Sequence, residues 1–152
     1  MPFGDGLRAI IQQHHPDMVL CDFQVWPSLR RRELHRSSFL GPARTCSNDT
    51  GKLLCGLLLQ GQWHAWSKIS RRTLWHDGLR FPAGRYFEDM ATVPRLALRA
   101  HSLWYEPAPW VDYRQRRDSI LSTLNLRKVA DLSSALRVTR QELDELPSLA
   151  ED

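Results

Sequence analysis

Two carboxylates stand side by side in the stretch Arg80-Phe-Pro-Ala-Gly-Arg-Tyr-Phe-Glu88-Asp89-Met-Ala-Thr-Val-Pro-Arg95. A turn built on Pro82 and Gly84 precedes them, and a helix is expected just after them. Further along comes a dense cationic run, Tyr113-Arg114-Gln115-Arg116-Arg117-Asp118-Ser119-Ile120. A fixed carboxylate is what a general base requires. A leaving anion must meet fixed positive charge. One carboxylate held near a cationic loop therefore suits a reaction in which a hydroxyl loses its proton and an anion departs.

A third segment, Trp66-Ser-Lys68-Ile69-Ser-Arg71-Arg72-Thr-Leu74, precedes both. The three in order resemble the C-terminal half of a family 2 glycosyltransferase with the GT-A fold. That family reads W-x-K-I/L-x-R-R-x-L, then R/K-F-P-x-G-x-x-Y/F-E-D, then Y-R-x-R-x-x-S-I. The resemblance runs from about Pro16 to about Leu121. No single motif is specific; three in register make the signal.

The resemblance implies an α/β fold, part of a GT-A domain with a few-stranded sheet and flanking helices, over residues 1–121, and a helical tail over 122–152. It implies transfer of a sugar from a nucleotide-sugar donor to an acceptor hydroxyl, with inversion, in surface polysaccharide or glycoconjugate synthesis. Asp89 would be the base, and Glu88 would orient it or touch the acceptor. Arg114, Arg116 and Ser119, with Arg117 beside them, would approach the diphosphate, since guanidinium forks match phosphate oxygens. Trp66 and Lys68 would lie on the acceptor side, where Trp66 either stacks on a sugar face or packs in the core. The acceptor would be a glycan or a lipid-linked sugar. The family binds Mg²⁺ or Mn²⁺ through a D-x-D motif, and no D-x-D occurs here. The opening Met1-Pro-Phe-Gly-Asp-Gly-Leu looks like the residues that follow that motif, so the chain is expected to be a truncated form. Alone it should bind nucleotide sugars and Mn²⁺ weakly and transfer nothing. An exposed sheet edge would favour self-association.

Composition sets the bounds. The 152 residues, 42% hydrophobic and 25% charged, suffice for one domain with a core. No apolar run approaches the roughly 18 residues of a membrane span, and the N-terminus lacks the pattern of a signal peptide. A cytoplasmic location is expected, with peripheral contact at the inner face of the membrane as a further option. The net charge of +4 rests mostly on arginine. The rival readings are a small basic nucleic-acid-binding domain, for which no helix-turn-helix, zinc or RNP signature is present, and a non-catalytic remnant serving as an interaction module. Cys21, Cys46 and Cys55 form no metal-type pair, and the adjacent His14 and His15 cannot share a helix face.

The elements that must position these groups follow from local pattern. Asp5 to His15 reads as a helix stopped by Pro16, and Asp17 to Trp26 as a strand, with Asp22 as a polar cleft residue. Residues 27–49 read as a loop or hairpin. Asn48-Asp49-Thr50 offers caps for a helix over 51–59. His64 to Leu74 reads as a second helix carrying Trp66, Lys68 and Ile69. Thr92 reads as the cap of the next helix, with Pro94 in its first turn, so that Glu88 and Asp89 stand at or just before its N-terminus. Ser102 to Tyr105 reads as a strand. A final helix is expected from Ser119 through Leu126, Val129, Leu132 and Leu136, with a frayed tail from Gln141.

Overall fold

The computed structural model describes residues 2–26, 34–115 and 125–145. Its centre is strand β1, Met18–Trp26, buried almost throughout. A strand covered on both faces has no reason to alternate in polarity, and the run Met-Val-Leu-Cys-Asp-Phe shows little alternation. The long strand β5, Leu103–Arg114, lies parallel to β1 on one side. On the other side two short strands share the edge of β1. β2, Leu34–Arg36, pairs antiparallel with Phe23–Val25, and β4, Lys68–Ser70, pairs antiparallel with Met18–Leu20. β3, Cys46–Ser47, runs antiparallel along the outer edge of β5. The result is an α/β architecture with a mixed five-stranded sheet.

The β1–β5 register slips twice around Asp22, where Glu106 faces Cys21 but Pro109 faces Asp22 and Val111 faces Phe23. Pro107 and Pro109 carry no N–H to give to a ladder, so the irregularity falls where the sequence cannot pair regularly.

The two faces of the sheet follow from strand alternation. Met18, Leu20, Leu103 and Tyr105 join a core with Leu53, Leu54 and Leu57 of α2 (Thr50–Gln60) and Leu96 and Ala97 of α3 (Glu88–Leu98). Val19 and Trp104 point the other way, onto Ile10 of α1 (Phe3–His14). The expected strand over 17–26 is present, as are the expected end of α1 before Pro16 and the cap of α2. His15 closes α1 in the left-handed region at φ 47°, just before Pro16. Asp49 Oδ1 accepts from Lys52 N at 2.9 Å to cap α2, which ends on Gly61 at φ 67°.

Three expectations are corrected. Residues 64–74 are not one helix: they form a 3₁₀ turn (Ala65–Ser67), strand β4, and a second 3₁₀ turn (Arg72–Trp75). The edge of β1 offers unpaired backbone groups there, and a three-residue strand takes them.

Helix α3 starts a turn earlier than expected, at Glu88, with Phe87 at its cap in the left-handed region. Thr92 is buried in its interior. Pro94 is therefore also interior and cannot donate to the Met90 carbonyl one turn back. Thr139 Oγ1, from helix α4 (Leu126–Asp144), reaches that carbonyl at 3.2 Å and shares its proton with the Ala135 carbonyl at 3.1 Å.

The third correction concerns α4, which runs on to Asp144, past the fraying expected from Gln141; it begins at Leu126 under an Asn125 cap, Lys128 N donating to Asn125 Oδ1 at 2.9 Å, and residues 119–124 lie outside the described residues. Its buried face is not the leucine series. Lys128, Asp131, Ala135 and Thr139 are buried, whereas Leu126, Val129 and Leu136 are 90%, 42% and 52% exposed. Polar anchors set the helix's rotation: Thr139 on Met90, and Asp131 on the loop before α3. No helix among the described residues is long and apolar enough to cross a membrane.

Candidate functional site

The Glu88–Asp89 pair is presented by a loop that α4 fastens. Asp131 accepts from Arg85 Nη1 at 2.8 Å and from Tyr86 N at 3.1 Å. These bonds, the Arg85 side chain's first, hold the Asp131 carboxyl below the usual range. Arg127 Nη2 donates to the Gly84 carbonyl at 2.8 Å, and its guanidinium lies 5.4 Å from the Tyr86 ring centroid. Gly84 at φ 68° makes the turn, and Phe87 at φ 58° directs the chain into α3. A phenylalanine in the left-handed region is strained. Two helical amides, of Met90 and Ala91, donate back to its carbonyl at 3.1 and 3.3 Å.

Asp89 is half-buried in the first turn of α3. Burial raises its pKa above the ordinary carboxylate range. The Ala65 backbone N–H donating to it opposes this, Glu88 adds to the rise, and Lys68 opposes it. Asp89 thus meets the segment just before β4. In that segment the Lys68 ammonium donates to the carbonyls of Gln62 at 2.7 Å and His64 at 2.9 Å, and to Ser67 Oγ at 3.1 Å. Burial pulls the Lys68 pKa down to about 7, with Asp89 and then Cys21 pulling it back up. His64 is held neutral, its pKa pushed down to about 3 by burial and then by Lys68. Buried Cys21 is pushed up to about 11, chiefly by desolvation, and its thiol is an inert neighbour rather than a nucleophile.

Trp66 stacks with His64, ring centroids 3.7 Å apart, and with Tyr113 at 5.3 Å, and its edge meets Phe23 at 4.9 Å. It remains 38% exposed. The structure therefore brings Asp89, Glu88, Lys68 and Trp66 into one neighbourhood. Arg114, the last residue of β5, follows Tyr113 directly and pairs in register with Trp26. Arg116 and Ser119, with Arg117, lie outside the described residues.

Sequence reasoning gave Asp22 no more than a place in the cleft, yet it ties the middle of β1 to its neighbours. It is 2% exposed. Its Oδ1 accepts from Ser38 N at 2.9 Å and from the Tyr105 hydroxyl at 2.8 Å, and its Oδ2 pairs with His35 Nε2 at 2.6 Å. Ser37 Oγ adds a 2.9 Å bond to the same Tyr105 hydroxyl. Burial, ahead of the Asp22 contact, raises Tyr105 to about 12. The signal was there: a carboxylate inside the run Val-Leu-Cys-Asp-Phe must find several donors.

Among the described residues no group of three or more His, Cys, Asp or Glu side chains is placed to hold a metal ion. These residues offer no seat for the Mg²⁺ or Mn²⁺ that the resemblance implies, and no step below runs through a metal. No protein-family model and no curated protein matches the chain.

Proposed function

We propose that this chain forms the acceptor side of an inverting glycosyltransferase of family 2, built on part of a GT-A domain. One observation carries the reading. Asp89, at the start of α3, is half-buried and feels both the Ala65 backbone N–H and the Lys68 ammonium, in the segment that also carries Trp66. A partly desolvated carboxylate binds a proton more tightly than one in water, as a general base requires.

In the proposed reaction the acceptor oxygen bonds to the anomeric carbon as the bond from that carbon to the diphosphate oxygen breaks. The electron pair leaves with the nucleoside diphosphate, and Asp89 receives the hydroxyl proton. Lys68, its three protons directed to protein oxygens, fixes the 62–68 segment that holds Asp89. Arg114 is the described cation closest in sequence to the leaving-group role, with Arg116 and Ser119 following it. The donor would be a nucleotide sugar and the acceptor a glycan or a lipid-linked sugar, met in the cytoplasm or at the inner face of the membrane.

Acceptor glycans titrated into the isotope-labelled chain should move the Ala65 amide and the Trp66 indole signals. In a polypeptide completed with a donor-binding half, Asp89→Asn should cut transfer by about 10²–10⁴-fold while leaving nucleotide-sugar binding in place. Transfer within a few-fold of wild type would remove Asp89 from the role.

A further inference from the structure

On the face of the sheet opposite α2 and α3, a groove of about 290 Å³ runs between α1 and β5. One wall is a single helical face of α1: Gly6, Ala9, Ile10, Gln13 and His14. The floor is Trp104, Glu106, Ala108 and Trp110, alternate residues of β5, and Arg44 closes one end. The mechanism above uses none of these groups.

The groove is built from buried polar chemistry. Trp104 is 8% exposed and Glu106 9%. The indole N–H groups of Trp104 and Trp110 are both buried without a hydrogen-bond partner among the described residues. A buried unpaired donor is costly, and a ligand oxygen would relieve it. Glu106 accepts from Arg44 Nε at 3.2 Å through one oxygen, which leaves its second oxygen for a ligand hydroxyl. Arg44 is itself held at φ 56°, a strained position that sets its side chain over Glu106.

We propose that this groove binds a single neutral pyranose ring. Its volume lies at the small end of ligand pockets, about 300–1,000 Å³, which fits one ring rather than a chain. The Arg44–Glu106 pair cancels its own charge, so nothing there selects a strongly anionic ligand. The aromatic faces are engaged: His14 stacks on Trp104 at 4.3 Å, and Phe3 meets Trp110 at 5.3 Å. What remains to meet a ligand once His14 moves are the two indole N–H groups, the Gln13 amide and a carboxylate oxygen. These match the alternating donors and acceptors of a polyol better than the flat face of a nucleobase. To reach Trp104 the ligand displaces His14, which is partly exposed on the last turn of α1.

The test is a titration of the ¹⁵N-labelled chain with methyl glycosides of glucose, galactose, mannose and N-acetylglucosamine, with AMP and inorganic phosphate as parallel arms. Trp104→Phe and Trp110→Phe assign the two indole signals. Both should move with glycoside at millimolar concentration, and Glu106→Gln or Gln13→Ala should weaken binding about 3–10-fold. Gln13 is exposed, so that variant keeps the test open if a tryptophan substitution unfolds the chain. Asp89→Asn should bind here as the wild type does, which separates this site from the proposed base. Indole signals that stay still under every glycoside, or that move with AMP or phosphate instead, would overturn the proposal.

Discussion

Asp22 and Asp89 are both carboxylates withdrawn from water, and the protein treats them in opposite ways. Asp22 is 2% exposed and spends its oxygens on Ser38 N, the Tyr105 hydroxyl and His35. Asp89 is half-buried and receives one backbone N–H, from Ala65, while burial raises its pKa. A carboxylate that accepts from three separate groups is a fastener. One that is desolvated and under-bonded is poised to accept a proton. Burial alone does not separate the two roles; the number of donors does.

The contrast can be broken most directly at Asp22. Asp22→Ala orphans a backbone N–H, a tyrosine hydroxyl and a histidine at once, and should cost about 3–5 kcal/mol of stability. Asp89→Asn, which orphans no comparable network, should leave stability unchanged or slightly improved. Urea denaturation of the two variants checks this, and equal losses would erase the distinction.

A smaller effect is expected where α4 meets α3. Thr139→Val leaves the Met90 carbonyl without a donor and should cost about 1–2 kcal/mol. In a Pro94→Ala background the restored amide can bond Met90 directly, so the same threonine change should cost measurably less. A double-mutant cycle measures that coupling, and additive losses would show that Thr139 does not substitute for the missing amide.

The smallest effect sharpens the comparison through pH. Asp89 holds its proton more tightly folded than unfolded. Its contribution to stability is therefore full below the ordinary carboxylate range and is lost as pH rises through the raised value. Asp131 has the opposite sign: its lowered pKa favours folding above the ordinary range and loses that contribution as pH falls. The difference between wild-type and Asp89→Asn stability curves should therefore fall with rising pH across the acid range. A flat difference would mean that Asp89 is not desolvated.

Much of the fold was legible because single residues punctuate it. Pro16 and Asp49 mark helix boundaries that the structure keeps, and the apolar run over 18–26 could hardly be anything but a covered strand. What was not legible depended on partners distant in sequence. Lys68–Ser70 is a strand because β1 has an open edge there, which no local pattern records. The start of α3 was hidden because Phe87 caps it without a polar side chain, while Thr92 looked like a cap and is buried inside. The inward face of α4 was not legible because Asp131 and Thr139, not apolar periodicity, anchor it. At the candidate site, the motifs named Asp89, Lys68 and Trp66, whereas the donors of Asp22 come from residues 35–38 and from β5, far apart in sequence.

The clamp of α4 on the loop before α3 has a temporal consequence. Arg85 and Tyr86 are tied to Asp131, and the Met90 carbonyl to Thr139, across 45 to 49 residues of chain. During synthesis the carboxylate-bearing loop is made well before its fastener, so it stays untethered until α4 has left the ribosome. The order of translation thus makes α4 the step that fixes this loop in place.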